Sequence, residues 1–160
     1  MMRIVFLFSL LVVVLNGDVF SKGKANLGLY VGGAQSFGYS YTIIGVSGEY
    51  YVADNLSLGG MYRNWSGSGP TQNEVSLYSN YFLPVDKRFK PYVGAFGRKT
   101  YIDSPVIDDF GSYGFRGGLS IITSNNSYIS LGYAIEYFDS CVESEDCYRS
   151  YPELSAGISF

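Results

Sequence analysis

The chain has 160 residues, with 11 Lys and Arg against 14 Asp and Glu and a formal net charge of −3. That length suits one domain, and the charge balance leaves no basic footprint for nucleic acid. Histidine is absent, which removes the usual general base, whereas 16 Tyr, 11 Phe and 20 Gly favour strands over helices.

At the N-terminus, Met1-Met2-Arg3 places one positive charge ahead of an apolar run, Ile4 to Leu15, broken only by Ser9. This is the length of a signal-peptide core; a membrane-spanning helix needs about 20 residues. The predicted cleavage follows Ser21, with Val19 at the third position before the cut, and cuts nearer Gly17 or Ala25 remain open on sequence grounds. Residues 1–21 are accordingly read as a cleavable signal peptide and 22–160 as one exported domain.

Beyond it the chain reads as eight runs separated by turn-forming clusters. The predicted strands are Asn26–Gln35, Tyr41–Val52, Leu56–Asn64, Asn73–Leu83, Lys90–Ile102, Ser112–Thr123, Ser127–Phe138 and Tyr148–Phe160. Ala53-Asp54-Asn55 and Ser124-Asn125-Asn126 are tight turns, and Pro84 to Phe89 is somewhat longer. The connections Ser36–Ser40, Trp65–Gln72, Asp103–Gly111 and Asp139–Cys147 read as looser. Short turns at one end and longer loops at the other are the pattern of outer-membrane barrels, with the short turns periplasmic. Ten or so residues, rising about 3.3 Å each at a tilt of about 40°, span roughly the 25 Å of an apolar band.

Each run alternates. Ile129, Leu131, Tyr133, Ile135 and Tyr137 share one face, and Ser130, Gly132, Ala134 and Glu136 the other. Likewise Leu154, Ala156, Ile158 and Phe160 oppose Arg149, Tyr151, Glu153, Ser155, Gly157 and Ser159, as a period of two requires. The polar faces are mostly Gly and Ser with single charges, a poor surface for water but a good filling for a narrow lumen. The apolar faces carry Tyr50, Tyr62, Tyr133 and Tyr137, residues suited to a headgroup belt. The expected fold is therefore all-β: an eight-stranded, antiparallel, up-and-down transmembrane β-barrel. It must close on itself, because an open edge would leave backbone groups unpaired in hydrocarbon.

Three stretches carry a family likeness. These are the hairpin Glu49-Tyr50-Tyr51-Val52-Ala53-Asp54-Asn55-Leu56-Ser57-Leu58-Gly59-Gly60, the strand opening Lys90-Pro91-Tyr92-Val93-Gly94-Ala95-Phe96-Gly97, and the alternating final strand that ends in Phe160. With them the chain resembles the small eight-stranded outer-membrane barrels of the OmpA/OmpX and opacity-protein type. The resemblance implies a Gram-negative outer membrane, contact with its lipid and lipopolysaccharide, and a terminal aromatic strand, here Phe160, read by the outer-membrane assembly machinery. The peptidoglycan-binding domain that larger OmpA-type proteins add after the barrel is not expected here.

The inward faces are expected to hold Glu49, Arg63, Glu74, Arg98, Arg116, Glu136, Arg149 and Glu153, four Arg and four Glu. Unpaired charge in a low-dielectric lumen is costly, and the Arg fork suits carboxylates, so a mutually paired network is expected, with a wet, loosely solvated lumen as the alternative. Cys141 and Cys147 are expected to form a disulfide after export, closing a short loop at about 2 kcal/mol. No metal site or cofactor is expected. Asp103, Asp108, Asp109, Glu143, Glu145 and Asp146 in the loops either keep the tips solvated or bind divalent cations that bridge lipopolysaccharide. Trp65 and Phe110, near loop ends, are expected at the membrane interface, with anchoring of a partner as the alternative. The functional expectation is a monomeric, non-enzymatic barrel with a structural or surface-interaction role (adhesion, envelope integrity, a host or surface ligand) and a plugged lumen. A narrow porin-like solute pore is the alternative, and a lipid-modifying barrel enzyme is disfavoured by the missing His.

Overall fold

The computed structural model describes residues 18–36, 38–105, 108–139 and 147–160. Eight strands run in chain order: β1 (Ala25–Ser36), β2 (Tyr39–Ala53), β3 (Leu56–Gly67), β4 (Gln72–Phe82), β5 (Phe89–Ile102), β6 (Phe110–Ser124), β7 (Ser127–Phe138) and β8 (Tyr148–Ser159). Each pairs antiparallel with the next, and β1 pairs with β8 to close the barrel. All eight predicted runs are strands. The predicted signal peptide lies outside the described residues except for 18–21.

The closing seam is the shortest ladder, six residue pairs from Asn26↔Ser159 to Val31↔Leu154. Its outward residues are Leu27, Leu29 and Val31 against Ile158, Ala156 and Leu154, so the wall is sealed where it is apolar. Backbone groups are paired where lipid could not satisfy them. Phe160 lies just beyond β8 and extends this seam: its N–H donates to the Ala25 carbonyl at 2.8 Å, and its own carbonyl accepts from Ala25 at 3.3 Å.

Strands run further than the sequence suggests at one end. β2 begins at Tyr39 and β3 continues to Gly67, so the β1–β2 connection shrinks to residues 37–38 and the β3–β4 connection to residues 68–71. The β1–β2 hairpin is therefore as tight as the turns at the opposite end, a correction to the expected loose loop. Gly38, at φ 77°, makes this tightness accessible. At the other end Asn55 takes φ 63° in the Asp54-Asn55 turn, a conformation Asn tolerates. In the β4–β5 connection the Asp86 carboxylate accepts from the N–H groups of Arg88 and Phe89, which holds its carboxyl below the usual carboxylate range.

The period of two sorts every strand. Leu29, Ile44, Val46, Leu58, Val75, Leu77, Val93, Phe115, Leu131 and Leu154 point outward and are exposed, Leu77 by 74%. Tyrosines flank this band: Tyr101, Tyr113, Tyr137 and Tyr148 at the long-loop end, Tyr50 and Tyr81 at the short-turn end. Tyr113 stacks on Tyr137 at 5.8 Å, and Tyr148 follows at 6.3 Å, so the girdle crosses three adjacent strands. Among the described residues no helix is long and apolar enough to cross a membrane.

Inside, the wall permits large rings because glycine faces them. Gly118 sits opposite Gly132, where an added Cβ would meet the Leu131 carbonyl, and a Cβ on Gly132 would meet the Tyr92 hydroxyl. The Tyr92 ring fills the space that the missing side chains leave.

Candidate functional site: a cross-braced lumen

The inward faces of β3, β4, β5, β7 and β8 bring Arg63, Glu74, Arg98, Glu136 and Arg149 together in the half of the lumen nearer the long loops. Glu74 on β4 accepts from Arg63 on β3, with oxygen–nitrogen distances of 2.6 and 2.8 Å. On its other oxygen it meets Arg149 of β8 at 2.7 Å, across the barrel from β4. Glu136 on β7 binds Arg98 at 2.7 Å and Arg149 at 2.8 Å, and accepts a further hydrogen bond from Ser112. Arg149 thus joins both carboxylates, and the network braces opposite walls.

Tyr151 knits it together. Its hydroxyl accepts from Arg98 at 2.8 Å and from Arg63 at 3.2 Å, and donates to Glu136 at 3.2 Å. Its position on the Arg149 and Glu153 face was legible from parity, but nothing in the sequence showed that it would meet two arginines from β3 and β5. Above it, Trp65 stacks edge-on against Tyr151 at 6.2 Å, with the Arg149 guanidinium 4.3 Å from the indole.

Trp65 corrects the interfacial expectation: it is fully buried in the lumen. β3 continues three residues past the predicted Asn64, so Trp65 keeps step with Met61 and Arg63 and points inward. Phe110 opens β6, half-buried, and packs edge-on against Phe138 at 5.2 Å, not in the outer girdle.

The remaining charges lie lower. Glu153 is 3.6 Å from Arg63 and 3.8 Å from Arg116, looser pairs than those above. Arg116 donates to Asn80 at 3.0 Å and lies over the Tyr78 ring at 4.3 Å. Glu49 departs from the expected Arg–Glu pairing. Among the described residues it takes neutral donors: Ser57 at 2.8 Å, Tyr51 at 3.0 Å, Tyr128 at 3.1 Å and the Asn26 amide at 3.2 Å. It lies near the short-turn end beside Tyr51, Tyr128, Asn26 and Ser57, so hydroxyls and an amide satisfy it in place of a guanidinium. Between the two groups lies a cavity of about 40 Å³ lined by Glu49, Tyr78, Asn80, Arg116 and Glu153 among others, room for a few waters at most.

Of the loop acids, Asp109 accepts from the Ile102 N–H at 2.9 Å. Glu143, Glu145, Asp146 and Cys141 lie outside the described residues. Among the described residues no three His, Cys, Asp or Glu side chains gather in a way that could hold a metal ion.

No family model matches the sequence, and no curated protein does. Solved structures do match. The N-terminal β-barrel domain of Pseudomonas aeruginosa OprF superposes with a TM-score of 0.70 at 18% identity, over 87% of this chain and 98% of that one. Neisserial surface protein A (NspA) gives 0.59 at 20% identity, over 85% and 93%. Ail, the attachment invasion locus protein of Yersinia pestis, gives 0.51 at 16% identity, over 87% and 99%. At these identities the likeness is one of fold. The chain has the fold of the small eight-stranded β-barrels that bacteria place in their outer membrane, and its exposed apolar band is the surface such a location requires.

Proposed function

We propose that this chain is an integral outer-membrane barrel with a closed lumen, whose role is structural or lies in surface interaction through its long-loop end. The observation that carries the closed lumen is the Arg149–Glu74 contact at 2.7 Å, which spans from β8 to β4 and is reinforced by Arg98, Glu136 and Tyr151. A path for solute would have to break several charge-assisted hydrogen bonds in a low-dielectric interior. The long-loop end faces outward and the termini the periplasm, as in barrels with short periplasmic turns. Adhesion or envelope integrity then rests on the loops; Ail, whose fold is similar, is named for attachment and invasion. The carboxylates of the lumen are engaged by arginine, tyrosine and serine, and a non-enzymatic role fits that engagement. A Cys141–Cys147 disulfide stapling the β7–β8 loop belongs to this reading, as does a monomer.

Conductance across a planar bilayer tests it. Refolded, inserted protein is expected to stay silent; steady unitary channels would replace the closed barrel by a narrow pore. If channels are absent, loss of cell or matrix binding on loop substitution reports the adhesive role.

Phe160 supplies a second test. Its backbone brackets the β1–β8 seam through Ala25, and its side chain ends the alternating final strand. Deleting Phe160 is expected to lower the outer-membrane level of folded protein several-fold, because both closure and recognition by the assembly machinery lose a contact. Undiminished levels of the truncated chain would remove Phe160 from assembly.

A further inference from the structure

The segment immediately before β1 lies inside the barrel mouth. Val19 and Phe20 are 1% and 0% exposed, although hydropathy alone would assign both to the leader. The Phe20 ring stacks on Phe82 at 4.2 Å with 12° between planes, and meets Tyr128 at 5.3 Å and Tyr51 at 5.8 Å. These rings come from β4, β7 and β2, so one side chain fills the centre of the short-turn end.

The backbone is fixed as firmly. The Phe20 carbonyl accepts from the Asn55 N–H at 2.8 Å, and Asn55 in turn accepts from Phe82 at 2.8 Å. The Val19 carbonyl accepts from the Ser159 hydroxyl at 3.3 Å, the Lys22 N–H donates to Asp54 at 2.9 Å, and the Gly23 N–H donates to the Tyr51 carbonyl at 2.8 Å. Charge is matched as well. Lys90 points inward at this mouth with a buried ammonium, and the Asp18 carboxylate meets it at 2.9 Å. Five strands and the β2–β3 turn therefore hold a segment that a cut after Ser21 would discard, leaving an aromatic hollow and a buried Lys without its carboxylate.

We propose that the leader is cleaved after Gly17, so that the mature chain keeps Asp18–Ser21 and uses Phe20 as a stopper of its short-turn mouth. Gly17 supplies the small residue that such a cut takes on its N-terminal side. The stopper closes the lumen below the Glu49 cluster, as the Arg–Glu network closes it above. Closure by the stopper rests on the closed lumen proposed above, whereas the cut after Gly17 rests on the barrel fold and on the contacts of residues 18–23 alone.

The experiment is the intact mass of the full chain, expressed with its own leader in a Gram-negative host and purified from the outer membrane. A mature chain that begins at Asp18 is expected; any other start overturns the cut after Gly17, and a start beyond Phe20 overturns the stopper with it. The stopper role is read separately, by urea unfolding in lipid vesicles. Phe20→Ala is expected to raise the unfolding equilibrium constant on the order of 1,000-fold, the scale of emptying a buried phenyl site. Lys22→Ala, at an exposed side chain, is the control and is expected to leave it unchanged. Equal midpoints for Phe20→Ala and the unaltered protein would show that Phe20 stoppers nothing. If Phe20→Ala fails to refold while Lys22→Ala refolds normally, the stopper is supported in its strongest form.

Discussion

Glu136→Ala is expected to destabilise the folded barrel by about 3–5 kcal/mol, the scale of removing one partner from a buried ion pair. Glu136 alone accepts from Arg98, Arg149, Ser112 and Tyr151. Its loss leaves three guanidinium groups, those of Arg63, Arg98 and Arg149, sharing Glu74, and Arg149 among them is already the bridge between opposite walls. These side chains are almost fully buried, and the desolvation already incurred by Arg98 and Arg149 is no longer offset. Arg116→Ala is expected to cost less, because its carboxylate partner Glu153 is 3.8 Å away and its firm contacts are to Asn80 and the Tyr78 ring. Urea titration of the two variants in the same vesicles checks the ranking. Equal midpoints for Glu136→Ala and the unaltered protein would mean that the charges are solvated and the bracing is not what stabilises the lumen.

The second large effect concerns the outer surface. Leu77 lies midway along β4 and is 74% exposed, with Val75 and Leu58 nearby on the same outward surface. In water such a band would drive aggregation; in a bilayer it faces hydrocarbon. Leu77→Arg is therefore expected to lower the stability of the vesicle-inserted protein by about 2–4 kcal/mol, and Tyr101→Arg, near the girdle, by about 0–1 kcal/mol. The depth dependence is the informative part, since a merely structural defect would not follow distance from the midplane. Similar costs at both positions, or folding of Leu77→Arg in detergent-free buffer, would place this face in water.

Parity and turn chemistry determined much of this protein from sequence alone. Alternation in β7 and β8 assigned every residue from Ile129 to Tyr137 and from Glu153 to Ile158 to its observed face, because a strand has only two faces and one is apolar. Asp54-Asn55 and Asn125-Asn126 marked two hairpins for the same local reason. The inward direction of all eight charged residues was legible too. What sequence could not supply was who meets whom across the lumen. Arg149 and Glu74 are 75 positions apart, and only closure of the β1–β8 seam and the stagger of the strands bring them to 2.7 Å. The same closure gave Glu49 hydroxyl donors instead of an arginine, carried Trp65 from the expected interface into the core, and turned Val19-Phe20 from leader-like hydrophobics into a buried pair. Hydropathy registers that a residue leaves water; whether it enters lipid, a leader or a barrel mouth depends on neighbours that only the closed sheet assembles.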